Sequence, residues 1–153
     1  MLLESIRNLP QQHDSDCLIA CCQQVLRSLG IEKSDAWLWN LLVAQSGDVT
    51  PFSNVQKLEQ ALGLVVELCR DGTVADFVST IESGLPLLVA VDTNDPLYWP
   101  YCGDHAVVVI GFDDEHVYVN DPAQSETGLA IELLEFQLAW SFRDYQYAVI
   151  RLT

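Results

Sequence analysis

A chain of 153 residues, half of them hydrophobic and 19% charged, suits one globular domain with a substantial core and is too apolar to stay disordered. Its 22 Asp and Glu against 7 Lys and Arg give a formal charge of -15, and no basic stripe gathers counter-charge, which argues against nucleic acid as a partner. That acidity serves solubility first, and it would also attract a basic peptide or a cationic small molecule.

In chain order, the N-terminal MLLESIRNLPQQHDSD lacks a basic region followed by an apolar segment, so it is not a secretory signal. No apolar run nears the roughly 18–20 residues that cross a bilayer, and a cytoplasmic location is expected. Leu18, Cys22, Val25, Leu26 and Leu29 recur at helical spacing, with Gln23, Gln24, Arg27 and Ser28 opposite. Asp14 or Ser15 is the expected N-cap of this helix and Gly30 its stop. Ser34 or Asp35 caps a second helix through Trp37, Leu38, Leu41, Leu42 and Ala44, ending at Gly47. Ser53 caps a third, with Val55, Leu58, Ala61 and Leu62 inward and Gly63 closing it. Residues 64–68 read as a short strand, and 73–83 as a helix stopped by Gly84.

After Pro86 the pattern turns to strands. Residues 87–91, 106–112 (AVVVIGF) and 117–119 (VYV) are apolar β-type runs, and Asp113, Asp114 and Glu115 supply the polar turn of a hairpin between the last two. Residues 131–140 read as a last helix and 145–152 as a final strand. Helices first and a mostly antiparallel sheet afterwards define an α+β domain, taken as a single unit over 1–153.

Five cysteines, Cys17, Cys21, Cys22, Cys69 and Cys102, are an odd number without a CxxC pair. Neither a disulfide framework nor a zinc site follows from that spacing, so reduced thiols and no cofactor are expected. Cys21 and Cys22 fall on the apolar side of the first helix and read as core. Cys17 stands in that helix's first turn, where unpaired N–H groups and the dipole favour a thiolate. Asp14 and Asp16 oppose that charge, so full activation calls for a paired imidazolium.

His105 supplies the candidate. It precedes the 106–112 run, and Asp121 follows the 117–119 run. A hairpin centred at Asp113 sets the two directly opposite, and one centred at Asp114 makes them offset neighbours still within reach. A carboxylate beside an imidazole fixes its tautomer and supports its positive charge. Pro122 donates nothing to a sheet ladder, so the strand should end at Asp121. An oxyanion would find donors in the backbone N–H of Cys17 and in an upstream glutamine, and on chemistry alone Gln11 and Gln12 both qualify.

These residues together resemble the C39 and C39-like family of papain-like cysteine peptidases, the bacteriocin-processing type. The pieces are Gln11 ahead of Asp16-Cys17 with Ala20 following, then DHAVVVIGFD from Asp104, then VYVNDPA from Val117, and Glu135-Phe136 and Trp140 near the end. The resemblance implies a papain-like fold with N-terminal helices on the sheet. It also implies Cys17 as nucleophile, His105 as general base, Asp121 as orienting acid, and Gln11 as the oxyanion donor in preference to Gln12. Leu18 stands where the family often has glycine. Members that process leader peptides commonly belong to membrane exporters and cut after a double glycine, whereas this chain carries no transporter segments or nucleotide-binding motifs.

The expected activity is thus cleavage of a peptide or amide bond through a thioester acyl-enzyme. Acyl transfer or amidase chemistry on the same scaffold, and a non-catalytic peptide-binding module, are the alternatives. A zinc site from Cys17, His105, His116 and Asp121 matches no common spacing. His116 is expected near the hairpin turn in solvent, and His13 lacks an orienting partner. Tyr98, Trp99 and Tyr101, in the loop before His105, either wall a substrate cleft or fold back. Trp37, Trp39 and Trp140 are expected in the core.

Overall fold

The computed structural model describes residues 1–13, 16–44, 50–92 and 104–153. Cys17–Ser28 forms α1, Asp35–Leu42 α2, and Lys57–Leu62 α3, the last entered through a 3-10 turn over Phe52–Gln56. Val65–Cys69 is β1, Val74–Glu82 α4, Leu87–Asp92 β2, Asp104–Phe112 β3 and His116–Asn120 β4. Leu129–Glu132 is β5, Leu133–Ser141 α5, and Tyr147–Arg151 β6. The six strands make one sheet in the order β1-β6-β2-β3-β4-β5, and each paired neighbour is antiparallel.

The central strands are apolar throughout because both faces of the sheet are covered. Leu88, Ala90, Ala106, Val108 and Ile110 pack with Leu18, Cys22, Leu26, Leu38 and Leu58 of α1–α3. Leu87, Val89, Val107 and Val109 pack on the other face with Phe77 and Ile81 of α4 and Phe136 and Trp140 of α5. The alternation of neighbouring residues between two cores is why 106–112 shows no polar period.

Several element ends differ from the sequence expectation for identifiable reasons. The Ser34 hydroxyl caps α2 by accepting from the N–H of Trp37, but the helix stops at Leu42, and Gly47 lies outside the described residues. Pro51, not Ser53, is the N-cap of the third helical segment, with extended backbone before Phe52 begins the 3-10 turn. Thr73 and Asp76 form a reciprocal capping box on α4. Residues 129–132 are an additional edge strand, β5, too short to display an alternating period, so the helix expected over 131–140 begins only at Leu133. Trp140 is fully buried, whereas Trp39 is exposed because α2 is short and turns only Leu38 and Leu42 fully inward. Trp37 is half-buried beneath the ammonium of Lys33.

Beyond Val109, which pairs with Leu87 at the start of β2, the N-terminal segment takes over the same edge of β3. Leu3 donates to the Ile110 carbonyl at 2.8 Å and Phe112 donates to the Met1 carbonyl at 2.9 Å. Glycine is required at 111 because a Cβ there would meet the Met1 carbonyl oxygen at 2.6 Å. From that anchor, residues 6–11 run as a strap towards the loop that follows β4.

Candidate active site

The first residue of α1 is Cys17, with Asp16 as N-cap. Asp14 and Ser15, the expected caps, lie outside the described residues, and Asp16 makes no side-chain capping bond. Cys17 therefore sits where a helix leaves its first N–H groups without intrahelical partners. The helix lies along β3, and the Cys21 thiol donates to the Ala106 carbonyl at 3.3 Å, which brings the start of α1 against the start of that strand.

His105 lies inside β3, one residue from its start, and is paired with Val91 of β2. Its Nε2 is 2.6 Å from Asp121 Oδ1, and both side chains are buried. The β3–β4 register runs Val109↔Val119 and Val108↔Asn120, so His105 and Asp121 are offset neighbours and not direct partners. A bulge between Val109 and Gly111 moves the pairing by one residue and centres that end of the hairpin at Asp114. The Asp113 carboxylate holds the turn by accepting the N–H groups of Glu115 and His116.

Asp121 follows the last residue of β4, which ends at Asn120, one residue before the end expected at Asp121. Its Oδ1 also accepts from the N–H of Ala123 at 2.8 Å, closing a turn over Pro122. The Asp-Pro-Ala sequence thus orders a bend that aims the carboxylate back at the imidazole. Besides Asp121, a hydrogen bond with Cys17 acts on the His105 ring.

Burial alone would pull the His105 pKa down. The hydrogen bonds to Asp121 and Cys17, and the charges of both, outweigh it and raise His105 from 6.5 to about 9. The ring is accordingly cationic at neutral pH. The neighbouring thiols behave in the opposite way. Burial, then the charges of Cys17, Cys22 and Asp121, push Cys21 well up, and burial followed by Cys17 pushes Cys22 up to about 12. Both remain protonated core residues, as their place on the helix implied.

Gln11 joins this region through its backbone, its N–H donating to the Pro122 carbonyl at 2.7 Å. Its side-chain Nε2 donates to the His13 carbonyl at 2.8 Å. Asn8, Gln24 and Asn120 are buried polar residues that sequence reasoning passed over. Asn120 Nδ2 donates to the Ile6 carbonyl at 2.9 Å and its Oδ1 accepts from the Gly128 N–H at 2.8 Å, stitching the strap to the loop after β4. Gln24 was assigned to the solvent side of α1, but the strap covers it. His116 sits at the far end of the hairpin, with Nδ1 3.2 Å from Asp113 Oδ1. Tyr98, Trp99, Tyr101 and Cys102 fall outside the described residues. Among the described residues no group of three or more His, Cys, Asp or Glu could hold a metal ion. No helix among them is long and apolar enough to cross a membrane.

A cysteine at the start of a helix packed on an antiparallel sheet, with helices on both faces of that sheet, belongs to the α+β papain-like cysteine-protease class of fold. The Peptidase_C39 like family model matches residues 3–148, and the chain belongs to that family. Solved structures agree on the fold. A Bacillus anthracis protein assigned as a C39-like peptidase is 18% identical, with TM-score 0.79 over 99% of this chain and 97% of its own. The peptidase domain of Streptococcus ComA, a bi-functional ABC transporter involved in quorum sensing, is 20% identical with TM-score 0.77, covering 97% and 99%. A double glycine motif protease from an AMS/PCAT transporter, in complex with the leader peptide, is 20% identical with TM-score 0.69, covering 95% and 91%. Among curated proteins no sequence matches the chain.

Proposed function

We propose that this protein is a cysteine peptidase in which Cys17 is the nucleophile, His105 the acid and base, and Asp121 the group that orients the ring. The observation that carries this reading is the continuous chain from the Cys17 thiol through His105 to the buried Asp121 carboxylate. A buried carboxylate needs a counter-charge, which the His105 imidazolium supplies, and the same cation favours the reactive thiolate of Cys17.

In the proposed reaction the Cys17 thiolate attacks the carbonyl carbon and the His105 imidazolium gives its proton to the departing amine. A thioester remains. Neutral His105 then takes a proton from water as that water attacks the thioester, the Cys17 sulfur leaves as thiolate, and the acid product departs with the thiolate–imidazolium pair regenerated. The tetrahedral oxyanion is held by the backbone N–H of Cys17 and by the side-chain amide of Gln11, which turns one of its hydrogens towards the substrate. A peptide substrate is supported by the leader peptide bound to the AMS/PCAT protease, and basic residues in it by the charge of -15.

Incubation of the wild-type protein with a synthetic peptide library, read by mass spectrometry, tests this. Cleavage products gaining one water are expected. Products joined to an added amine would make the protein an acyltransferase. Peptides retained intact throughout would make it a binding module.

A further inference from the structure

Three parts of the proposed site reach it from different places in the chain. Cys17 comes on α1, Asp121 on the loop after β4, and Gln11 on the N-terminal strap. One buried side chain touches all three supports. Asn8 is 8% exposed, and its Nδ2 lies 2.9 Å from the Asp121 carbonyl, 2.8 Å from that of Gln124 and 3.0 Å from that of Glu126. Its backbone N–H donates to the Thr127 hydroxyl at 3.0 Å. Its Oδ1 accepts from Gln24 Nε2 at 3.1 Å, and Gln24 lies on α1 about two turns beyond Cys17.

The orientation of both amides is forced. Three carbonyls face Asn8 on one side, so only its NH2 group can be turned to them. Its oxygen must then face Gln24, whose NH2 group also approaches the Leu9 carbonyl at 3.4 Å. The backbone of Asp121 is thereby fixed independently of the Asp121–His105 hydrogen bond. Pro122, next in the chain, meanwhile accepts the Gln11 N–H.

We propose that Asn8 is a positioning residue of the Cys17–His105–Asp121 site, holding the 121–126 loop against α1 so that Asp121 presents its carboxylate to His105. This rests on the reading of Cys17 as nucleophile. Asparagine suits the position because it combines two amide donors for the carbonyls with an acceptor for Gln24. An aspartate of equal size would set a carboxylate against three carbonyl oxygens, and alanine would leave those acceptors buried without their donor.

The test follows the rate of Cys17 alkylation by iodoacetamide near neutral pH, together with NMR titration of His105. In wild type Cys17 should be alkylated at least about tenfold faster than Cys69. Asn8→Asp and Asn8→Ser should slow Cys17 alkylation by about tenfold and lower the His105 titration by about one pH unit. Asn8→Ser keeps a hydroxyl donor and serves if Asn8→Asp does not fold. Phe77→Leu, in the core on the opposite face, should lower the melting temperature without moving either readout. Folded Asn8 variants that match wild type in both readouts would overturn the proposal. Wild-type Cys17 alkylated no faster than Cys69 would instead overturn the nucleophile reading beneath it.

Discussion

Cys17→Ala is expected to abolish turnover, by about four or more orders of magnitude in kcat, while the protein remains folded. The loss is large because no other group in the site can take over the attack. Cys21 and Cys22 are buried thiols held protonated by burial, and neither is set at a helix start. The fold should tolerate the change because Cys17 is only half-buried at the margin of the α1–β3 core, where losing one sulfur leaves little cavity. Circular dichroism and thermal melting check the fold, and single-turnover assays check the chemistry. Residual activity near wild type would move the nucleophile elsewhere.

Asp121→Ala carries the second large effect. His105 is about 9 only because the hydrogen bonds and charges of Asp121 and Cys17 overcome a burial that acts to lower it. Removing the carboxylate leaves burial opposed by Cys17 alone, so the ring gives up its proton at lower pH and holds the thiolate and protonates the leaving amine less well. A fall of about 10²–10⁴ in kcat/KM is expected. The alkaline limb of the pH–rate profile should move down from about 9 in wild type. The sign for stability follows from the same raised value. What charged His105 contributes is complete below its unfolded value of 6.5 and is lost as pH rises through about 9. Asp121→Asn, which keeps a hydrogen-bond acceptor without the charge, should fall between wild type and alanine on both measures. An Asp121→Ala profile with its alkaline limb unmoved would show that the carboxylate does not set the ring's charge.

The legible part of this protein was its strong periodicities and its punctuation. The α1 apolar stripe, the capping signal at Ser34 and the 106–112 and 117–119 runs were sufficient to indicate helices on an antiparallel sheet. The same hairpin arithmetic brought His105 to Asp121, and of its two registers the offset one is adopted. A bulge at Ile110 shifts the pairing by one residue from that of the turn, in which the two would face opposite sides of the sheet, and a bulge is a response to neighbouring strands that local sequence does not encode. The supports of the site were not legible for a related reason. Asn8 and Gln24 are ordinary polar residues in sequence, and only the return of the 121–127 loop to the strap turns them into a buried network. The short β5 escaped because four edge-strand residues cannot display a period, and the apolar residues of α5 run directly on from them.

Competitive labelling of the five cysteines tests the central claim most directly. The folded protein is treated with iodoacetamide below stoichiometry near neutral pH, quenched, unfolded and digested, and the modified sites are counted by mass spectrometry. Cys21 and Cys22 are shielded in any case, so the informative comparison is with half-buried Cys69 and with Cys102. An imidazolium-paired thiolate predicts modification of Cys17 first, at least about tenfold ahead of those two, and loss of that lead in His105→Ala. Equal labelling of Cys17, Cys69 and Cys102 would contradict an activated nucleophile at the start of α1.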